Sequence, residues 1–282
     1  MLDRHPEKEH AGGEHEGEQE RDQDHRALGL LLEAAEGDDE RRRGDQHDRA
    51  ADEQHAEEHL LKARIHGLPE SITAAIFDFD ETMIDLETQH GAAHRALCEE
   101  LGSDYDALPL AFRTSSGMRI IDDVREMRRF FGWTAPEDEL FARRHGHFLR
   151  ACRTADLQLM PGVERAVRAL HAQGRTLAVT SSAVADAIDE ILRRFELRDL
   201  FALIIDGSEV THGKPDPEAY LLTARKLGIE PRACVVFEDS SVGVVAAKRA
   251  GMTCIAVRNV RAHQWQDLSA ADAVVESFEE LI

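Results

Sequence analysis

Five short runs in this chain are apolar almost from end to end: ITAAIFDF (72–79), TLAVTS (176–181), ALIID (202–206), ACVVFED (233–239) and TCIAV (253–257). A strand with one face in water alternates apolar and polar residues; these do not, so they read as strands covered on both faces. Segments with a helical period lie between them. Val163, Val167 and Leu170 share one face after Pro161-Gly162, and Ile188, Ile191, Leu192 and Phe195 share the next. Tyr220, Leu221, Ala224 and Leu227 mark a third face, with Gly228 as its stop. The segment after Glu238-Asp239 opens on a serine pair and stops at Gly251, a cap at each end. Strand–helix alternation of this kind predicts an α/β fold with a Rossmann-like, doubly wound parallel sheet.

One interval breaks the rhythm. Residues 86–158 carry no strand-like run but three helical stretches, at about 86–101, 117–131 and 136–153. They read as an inserted all-helical cap domain, dividing a core of residues 71–85 and 159–282. An insertion at the carboxyl end of a strand sits where α/β folds bind ligands, so it is a candidate lid.

Residues 1–70 differ again, holding 21 of the 55 acidic residues and 8 of the 15 histidines. Such a composition buries too little apolar surface to offset its ordering entropy, and a disordered acidic tail is expected. Short helices are conceivable only at Ala27 to Ala35 and Ala50 to Ile65. The histidines have no regular ligand spacing, so a solvated tail is preferred over a metal site.

The formal charge of −21 disfavours a nucleic-acid or anionic-membrane surface. No apolar stretch is long enough to span a membrane, and no signal pattern opens the chain, so a cytoplasmic protein is expected, with monomer as the default. Cys98, Cys152, Cys234 and Cys254 form no C-x-x-C pair; the last two lie in strand runs and read as small core residues.

Polar groups gather at the strand ends. Asp78 and Asp80 close the first run, and residues two apart in a strand share a face. Ser181-Ser182 closes the second, Lys214 follows the third in GKPDPEAY, and Glu238-Asp239 closes the fourth. A doubly wound sheet would bring all of them to one edge. Clustered carboxylates repel and need a cation or a shared proton; an all-oxygen set suits Mg²⁺. A lysine, hydroxyls and backbone N–H groups at a helix start suit a phosphate. A carboxylate is also a competent nucleophile toward phosphorus.

These residues resemble the haloacid dehalogenase (HAD) superfamily. DFDET (78–82) is similar to its first motif, Ser181 to its second, Lys214 to its third and FEDSSVGVVAAKRAGM (237–252) to its fourth, across about 210 residues. The insertion resembles the C1 cap of the subgroup that contains β-phosphoglucomutase and many small phosphatases. The resemblance implies Asp78 as nucleophile and metal ligand, and Asp80 as general acid/base whose backbone carbonyl also binds Mg²⁺. It implies Asp239 as a direct metal ligand and Glu238 as a ligand or water-mediated partner. Ser181, Ser182 and Lys214 would hold the phosphoryl group. One departure is Glu81, where the sugar-phosphate subgroup usually has glycine.

Asp80 favours hydrolysis of a phosphate ester, because a leaving oxygen needs a proton and the related dehalogenases and phosphonatases lack a carboxylate there. The expected partner is a small phosphorylated metabolite, probed through the cap. The alternative enzyme is a phosphomutase similar to β-phosphoglucomutase, which His90 and Arg119 would serve as cap contacts; Arg113, Arg125 and Trp133 are further candidates. Ala183, Val184 and Ala185 weigh against the mutase, which has polar phosphate-binding residues at that point. A non-catalytic phosphate-binding protein is the reading from another class.

Overall fold

The computed structural model describes residues 68–109, 119–258 and 266–282. The acidic tail up to residue 67, its two candidate helices and Arg113 lie outside the described residues.

Strands β1 (Ala74–Phe77), β2 (Thr176–Thr180), β3 (Leu203–Ile205), β4 (Cys234–Glu238), β5 (Thr253–Val257) and β6 (Ala273–Val275) form one sheet. Its order is β3-β2-β1-β4-β5-β6, and every pairing is parallel. The chain winds outward from β1 to β3, then returns to β4 on the other side of β1. The crevice for a ligand in such a sheet lies outside the carboxyl ends of β1 and β4, where the winding reverses. Strand β6 is additional to the five apolar runs. Three residues, Ala273, Val274 and Val275, are too few to display a period of their own.

The continuous apolar character of β1 has a direct cause. Ala75 and Phe77 face one layer with Val163, Val167, Leu170, Ile188 and Leu192. Ala74 and Ile76 face the other with Tyr220, Ala224, Val244 and Ala247. The layers are built by α4 (Val163–Ala172) and α5 (Ala185–Arg194) on one side, and α6 (Glu218–Leu227) and α7 (Ser241–Arg249) on the other. (Helices α1–α3 lie earlier, between β1 and β2.) Phe77 stacks on Phe237 at 4.8 Å between ring centroids, joining β1 to β4. Burying each such ring stabilises the fold by about 1.5–3 kcal/mol.

The expected caps are in place. Ser240 Oγ accepts from Gly243 N at 3.1 Å at the start of α7, and Gly228 (φ 70°) and Gly251 (φ 75°) follow α6 and α7 in the left-handed region. Leu221 departs from expectation. It is 40% exposed, because it lies about 100° around the helix from Tyr220, and α6 packs through Ala219, Tyr220, Thr223 and Ala224 instead. The four cysteines are buried and unpaired.

Between β1 and β2 run α1 (Glu87–Glu100), a short 3-10 turn (Tyr105–Ala107), α2 (Ile120–Phe131) and α3 (Glu137–Thr154). They enclose apolar clusters of their own, one of Leu97, Ile120, Val124 and Leu140 and one of Cys98, Tyr105, Leu108 and Met127. The segments that enter and leave this insertion are tied together. Ile84 bridges Leu159, and Met160 N donates to Met83 O at 2.9 Å. Both ends therefore sit beside the carboxyl end of β1. Among the described residues no helix is long and apolar enough to cross a membrane.

Candidate active site

Asp78 follows β1 directly, and its N–H extends the ladder by donating to Phe237 O at 3.0 Å. Glu238 is the last residue of β4, and Asp239 follows it. Since β1 and β4 are neighbours in register, these three carboxylates converge, with one oxygen of each within 4.8 Å of the others. All three are buried. Lys214 enters from the loop after β3 and closes the cluster. Its Nζ donates to Asp78 Oδ1 at 2.6 Å and to Glu238 Oε1 at 2.5 Å.

The three acids are not equivalent. Glu238 is saturated: Oε1 accepts from Lys214 and from Tyr220 Oη at 2.8 Å, and Oε2 accepts from Asp239 N, Ser240 N and Ser240 Oγ. Burial would raise its pKa, but Lys214, Ser240 and Tyr220 outweigh this and hold it below the ordinary value. Asp239 accepts from Thr82 Oγ1 at 2.9 Å through Oδ1, while its buried Oδ2 has no partner. Burial, with Glu238 and Asp78 adding repulsion, drives the Asp239 carboxyl well above the carboxylate range. Burial also pushes Asp78 up to about 8, against the pull of Lys214 and with Glu238 raising it further. Lys214 is itself held above its ordinary value, because Asp78 and Glu238 overcome the cost of burying an ammonium. One lysine thus stands against three acids and bonds two of them, and the Asp239 carboxylate keeps an orphaned oxygen. That is a donor set with the charge and hardness to hold a divalent cation such as Mg²⁺.

Asp80 has different company. Its side chain lies outside the three-acid cluster and meets His90 of α1, Nε2 to Oδ2 at 3.2 Å. Arg144 of α3 fixes the tautomer. Its Nη2 can only donate, and it reaches His90 Nδ1 at 2.5 Å; Nδ1 therefore accepts, and the proton sits on Nε2, pointed at Asp80. Burial lowers the His90 pKa, with Arg144 acting in the same direction and Asp80 opposing. His90 also stacks on Phe148 at 4.3 Å. The other oxygen, Asp80 Oδ1, is buried without a partner.

Ser181 continues β2 at the same sheet edge; it is buried, and its Oγ accepts from Ala183 N at 3.0 Å. Ser182 lines a cleft of about 270 Å³ with Arg119, Ile120 and Phe141 of the insertion and Gly207, Ser208 and Val210 of the loop after β3. Arg119 precedes α2 and donates to Asp122 and to the carbonyls of Val210 and Thr211. Arg125 pairs with Asp122 and Glu137, and Trp133 Nε1 donates to Ser103 Oγ. Both serve contacts within the insertion.

Glu81, the departure from the family pattern, adopts φ 65°. Its Oε1 accepts from Leu86 N at 3.0 Å, just ahead of α1. A side chain in the left-handed region is disfavoured, and this bond is the offset.

Four contributors escaped the sequence reading. Thr82 lies inside the DFDET run and Tyr220 on the apolar face of α6, so both carry a weak signal. Arg144 is one arginine of many in α3, and only the tertiary structure turns it inward. Gly243 abuts the Glu238 carboxylate, where a methyl would overlap it.

The sheet order, the helical insertion after β1 and the acid–lysine cluster define an α/β protein with its site at the carboxyl edge of the sheet. A family model described as haloacid dehalogenase-like hydrolase matches residues 72–251, and the chain belongs to that family. It is 32% identical over 220 residues to hexitol phosphatase B of Escherichia coli, covering 76% of this chain and 96% of that protein. It is 30% identical over 190 residues to fructose-1-phosphate phosphatase of the same organism, covering 67% and 98%. Among solved structures it is similar to CbbY from Rhodobacter sphaeroides in complex with phosphate, at 25% identity and a TM-score of 0.67, covering 74% of this chain and 96% of that one. A second structure of CbbY, bound to xylulose 1,5-bisphosphate, matches at 26% identity and a TM-score of 0.65.

Proposed function

We propose that this chain is a phosphoric monoester hydrolase that acts on a small phosphorylated sugar or sugar alcohol through an aspartyl-phosphate. The observation that carries the reading is the division of labour at the end of β1. Asp78 is paired with an ammonium, and Asp80, two residues on, is paired with an imidazole N–H. A carboxylate next to Lys214 is placed to attack a phosphate, and one outside the cluster is placed to move protons.

In the first step Asp78 attacks phosphorus, the bond to the ester oxygen breaks, and Asp80 protonates the departing oxygen. In the second, water attacks the aspartyl-phosphate, Asp80 takes its proton, and the bond from phosphorus to Asp78 breaks to release inorganic phosphate. Lys214, Ser181 and the Ser182 N–H oppose the charge on the phosphoryl oxygens. Asp78 and Asp239, with the Asp80 carbonyl, are the candidate Mg²⁺ holders, and the unpartnered Asp239 Oδ2 supports this. When bound, Mg²⁺ supplies positive charge to the phosphoryl oxygens and offsets the repulsion among the acids. Glu238, already accepting five hydrogen bonds, is suited to positioning Lys214 and reaching the ion through water. Hydrolysis is also what the hexitol and fructose-1-phosphate relatives are named for.

The test is a panel of phosphorylated metabolites assayed with Mg²⁺ and again with chelator. Turnover confined to monoesters and abolished by chelation is expected. Metal-independent turnover, or none on any monoester, would count against the reading. The second reading, a phosphomutase, draws on His90 standing against Asp80; it requires that activity on a hexose 1-phosphate depend on the 1,6-bisphosphate.

A further inference from the structure

The cleft beside Ser182 lies between the insertion and the loops after β2 and β3. Resting on the hydrolase reading, it is where the part of the substrate beyond the ester oxygen has room to lie. The lining shows what that part can be. Ile120, Ile121, Phe141, Ala183, Val184 and Val210 give it apolar walls. Among the described lining residues the one cation is Arg119.

Arg119 is already committed. Nε and Nη2 fork onto the two oxygens of Asp122 at 2.7 and 3.1 Å. Nη1 donates to Val210 O at 3.0 Å and Thr211 O at 2.9 Å. A guanidinium has five N–H donors, and these bonds engage all but one. Asp122 faces that guanidinium at contact distance and is shared with Arg125. The stem of Arg119 also lies over Gly213, where a methyl would come within 3.1 Å of Cγ. The next residue is Lys214. Arg119 is therefore a clasp from the start of α2 onto the loop that carries Lys214.

The other anchor an anion would use in this cleft is the amino terminus of α5, the positive end of the helix dipole. A carboxylate of the chain occupies it. Asp206 is buried, and its Oδ2 accepts from Ala185 N, the first residue of α5, at 3.0 Å. Its Oδ1 accepts from Ser208 N and Oγ. A second phosphate entering here meets Asp206 at the helix end, Asp122 behind Arg119, and apolar walls between.

We infer that this cleft selects an uncharged leaving group and rejects a second phosphate, with its apolar walls and Asp206 setting the preference. The chain is then a monophosphatase that discriminates against bisphosphates, in contrast with the neighbouring fold that binds a bisphosphate, and Arg119 is a positioning residue for the Lys214 loop.

The test separates binding from turnover. Asp78→Asn protein with Mg²⁺ is titrated by calorimetry with fructose 1-phosphate and fructose 1,6-bisphosphate, and with glucose 1-phosphate and its 1,6-bisphosphate. Each monophosphate is expected to bind about tenfold or more tightly than its bisphosphate, a difference that one misplaced charge supplies. Equal binding, or tighter binding of the bisphosphates, overturns the inference whether or not the wild type turns either over. Failure of wild-type protein to hydrolyse any monophosphate counts instead against the hydrolase reading. Arg119→Ala combined with Asp122→Asn, which removes both charges of the pair, should lower kcat on mono- and bisphosphate alike, leaving the ratio of their KM values unchanged. A selective rise in bisphosphate KM would make Arg119 a phosphate grip and contradict the clasp. Val184→Lys, which adds a cation to the apolar wall, should narrow the preference by about tenfold; an unmoved ratio would place the second phosphate elsewhere and overturn the assignment of this cleft.

Discussion

Gly243 in the first turn of α7 lies directly against the carboxylate of Glu238, so that a β-carbon there would occupy the space of the carboxylate itself. Glycine is a poor helix former, and its presence in α7 is explained by this approach. Glu238 can keep its bonds to Lys214, Tyr220 and Ser240 only if position 243 has no side chain.

Gly243→Ala should therefore lower both stability and turnover, although alanine favours a helix over glycine by about 1 kcal/mol. Displaced Glu238 releases Lys214, and a misplacement of about 1 Å at such a site costs on the order of 100-fold in rate. Thermal unfolding and kcat/KM measured together decide it. A variant as active as wild type, with a raised Tm, would mean that Glu238 has room to move.

Glu81 permits a separation of strain from bonding. Its left-handed backbone costs on the order of 1 kcal/mol, and its bond to Leu86 N returns about as much. Glu81→Ala keeps the strain and loses the bond, so it should destabilise by about 1–2 kcal/mol. Glu81→Gly loses both and should lie nearer wild type. Urea unfolding of the two variants checks the order; glycine less stable than alanine would refute the balance.

A pH effect on stability is expected from Asp123, buried in α2 with one oxygen unpartnered. Burial raises it to about 7 from 3.8, with Arg144 opposing and Asp122 adding repulsion. The native state then keeps a proton that the unfolded chain releases, so stability from this group falls as pH rises between those values and the loss is complete above about 7. Asp123→Asn escapes the loss. Its Tm relative to wild type should rise between pH 5 and pH 8, by the equivalent of about 2 kcal/mol. A difference that does not change with pH would show that Asp123 ionises freely in the fold.

His90 holds Asp80 through a proton whose position Arg144 dictates. His90→Ala should lower kcat by about 10–100-fold with a smaller change in KM, because the proposed acid/base loses orientation and the proposed phosphate site does not. His90→Gln, which restores an N–H donor, should recover part of that loss. Equal loss in both variants would reduce His90 to a packing residue.

The residues that gather at the sheet edge were legible in the sequence because each lies at the end of an apolar run. A strand covered on both faces cannot hide a polar group inside, so Asp78, Ser181, Glu238 and Asp239 announce the strand ends where they sit. Lys214 was legible from its place between a strand and a helix. What was not legible depends on contacts across the fold. The Asp80–His90–Arg144 chain joins β1, α1 and α3, and nothing in the spacing of Arg144 distinguishes it from its solvated neighbours. Leu221 fitted an apolar stripe, yet α6 turns Tyr220 inward to reach Glu238, and Leu221 turns out. Strand β6 is too short to carry a pattern. Arg119 was legible as a charge near the cleft, but its partners, two backbone carbonyls and an acid one turn on, belong to the tertiary structure.

The central claim is that Asp78 takes the phosphoryl group. Wild-type protein mixed with a turned-over phosphorylated sugar and Mg²⁺, quenched in acid within one turnover and mapped by peptide mass spectrometry, tests it directly. Phosphate mass on the peptide that contains Asp78, and its absence from Asp78→Asn, is the predicted result. Turnover without that label, or an Asp78→Asn variant retaining more than about a tenth of wild-type kcat, would contradict it.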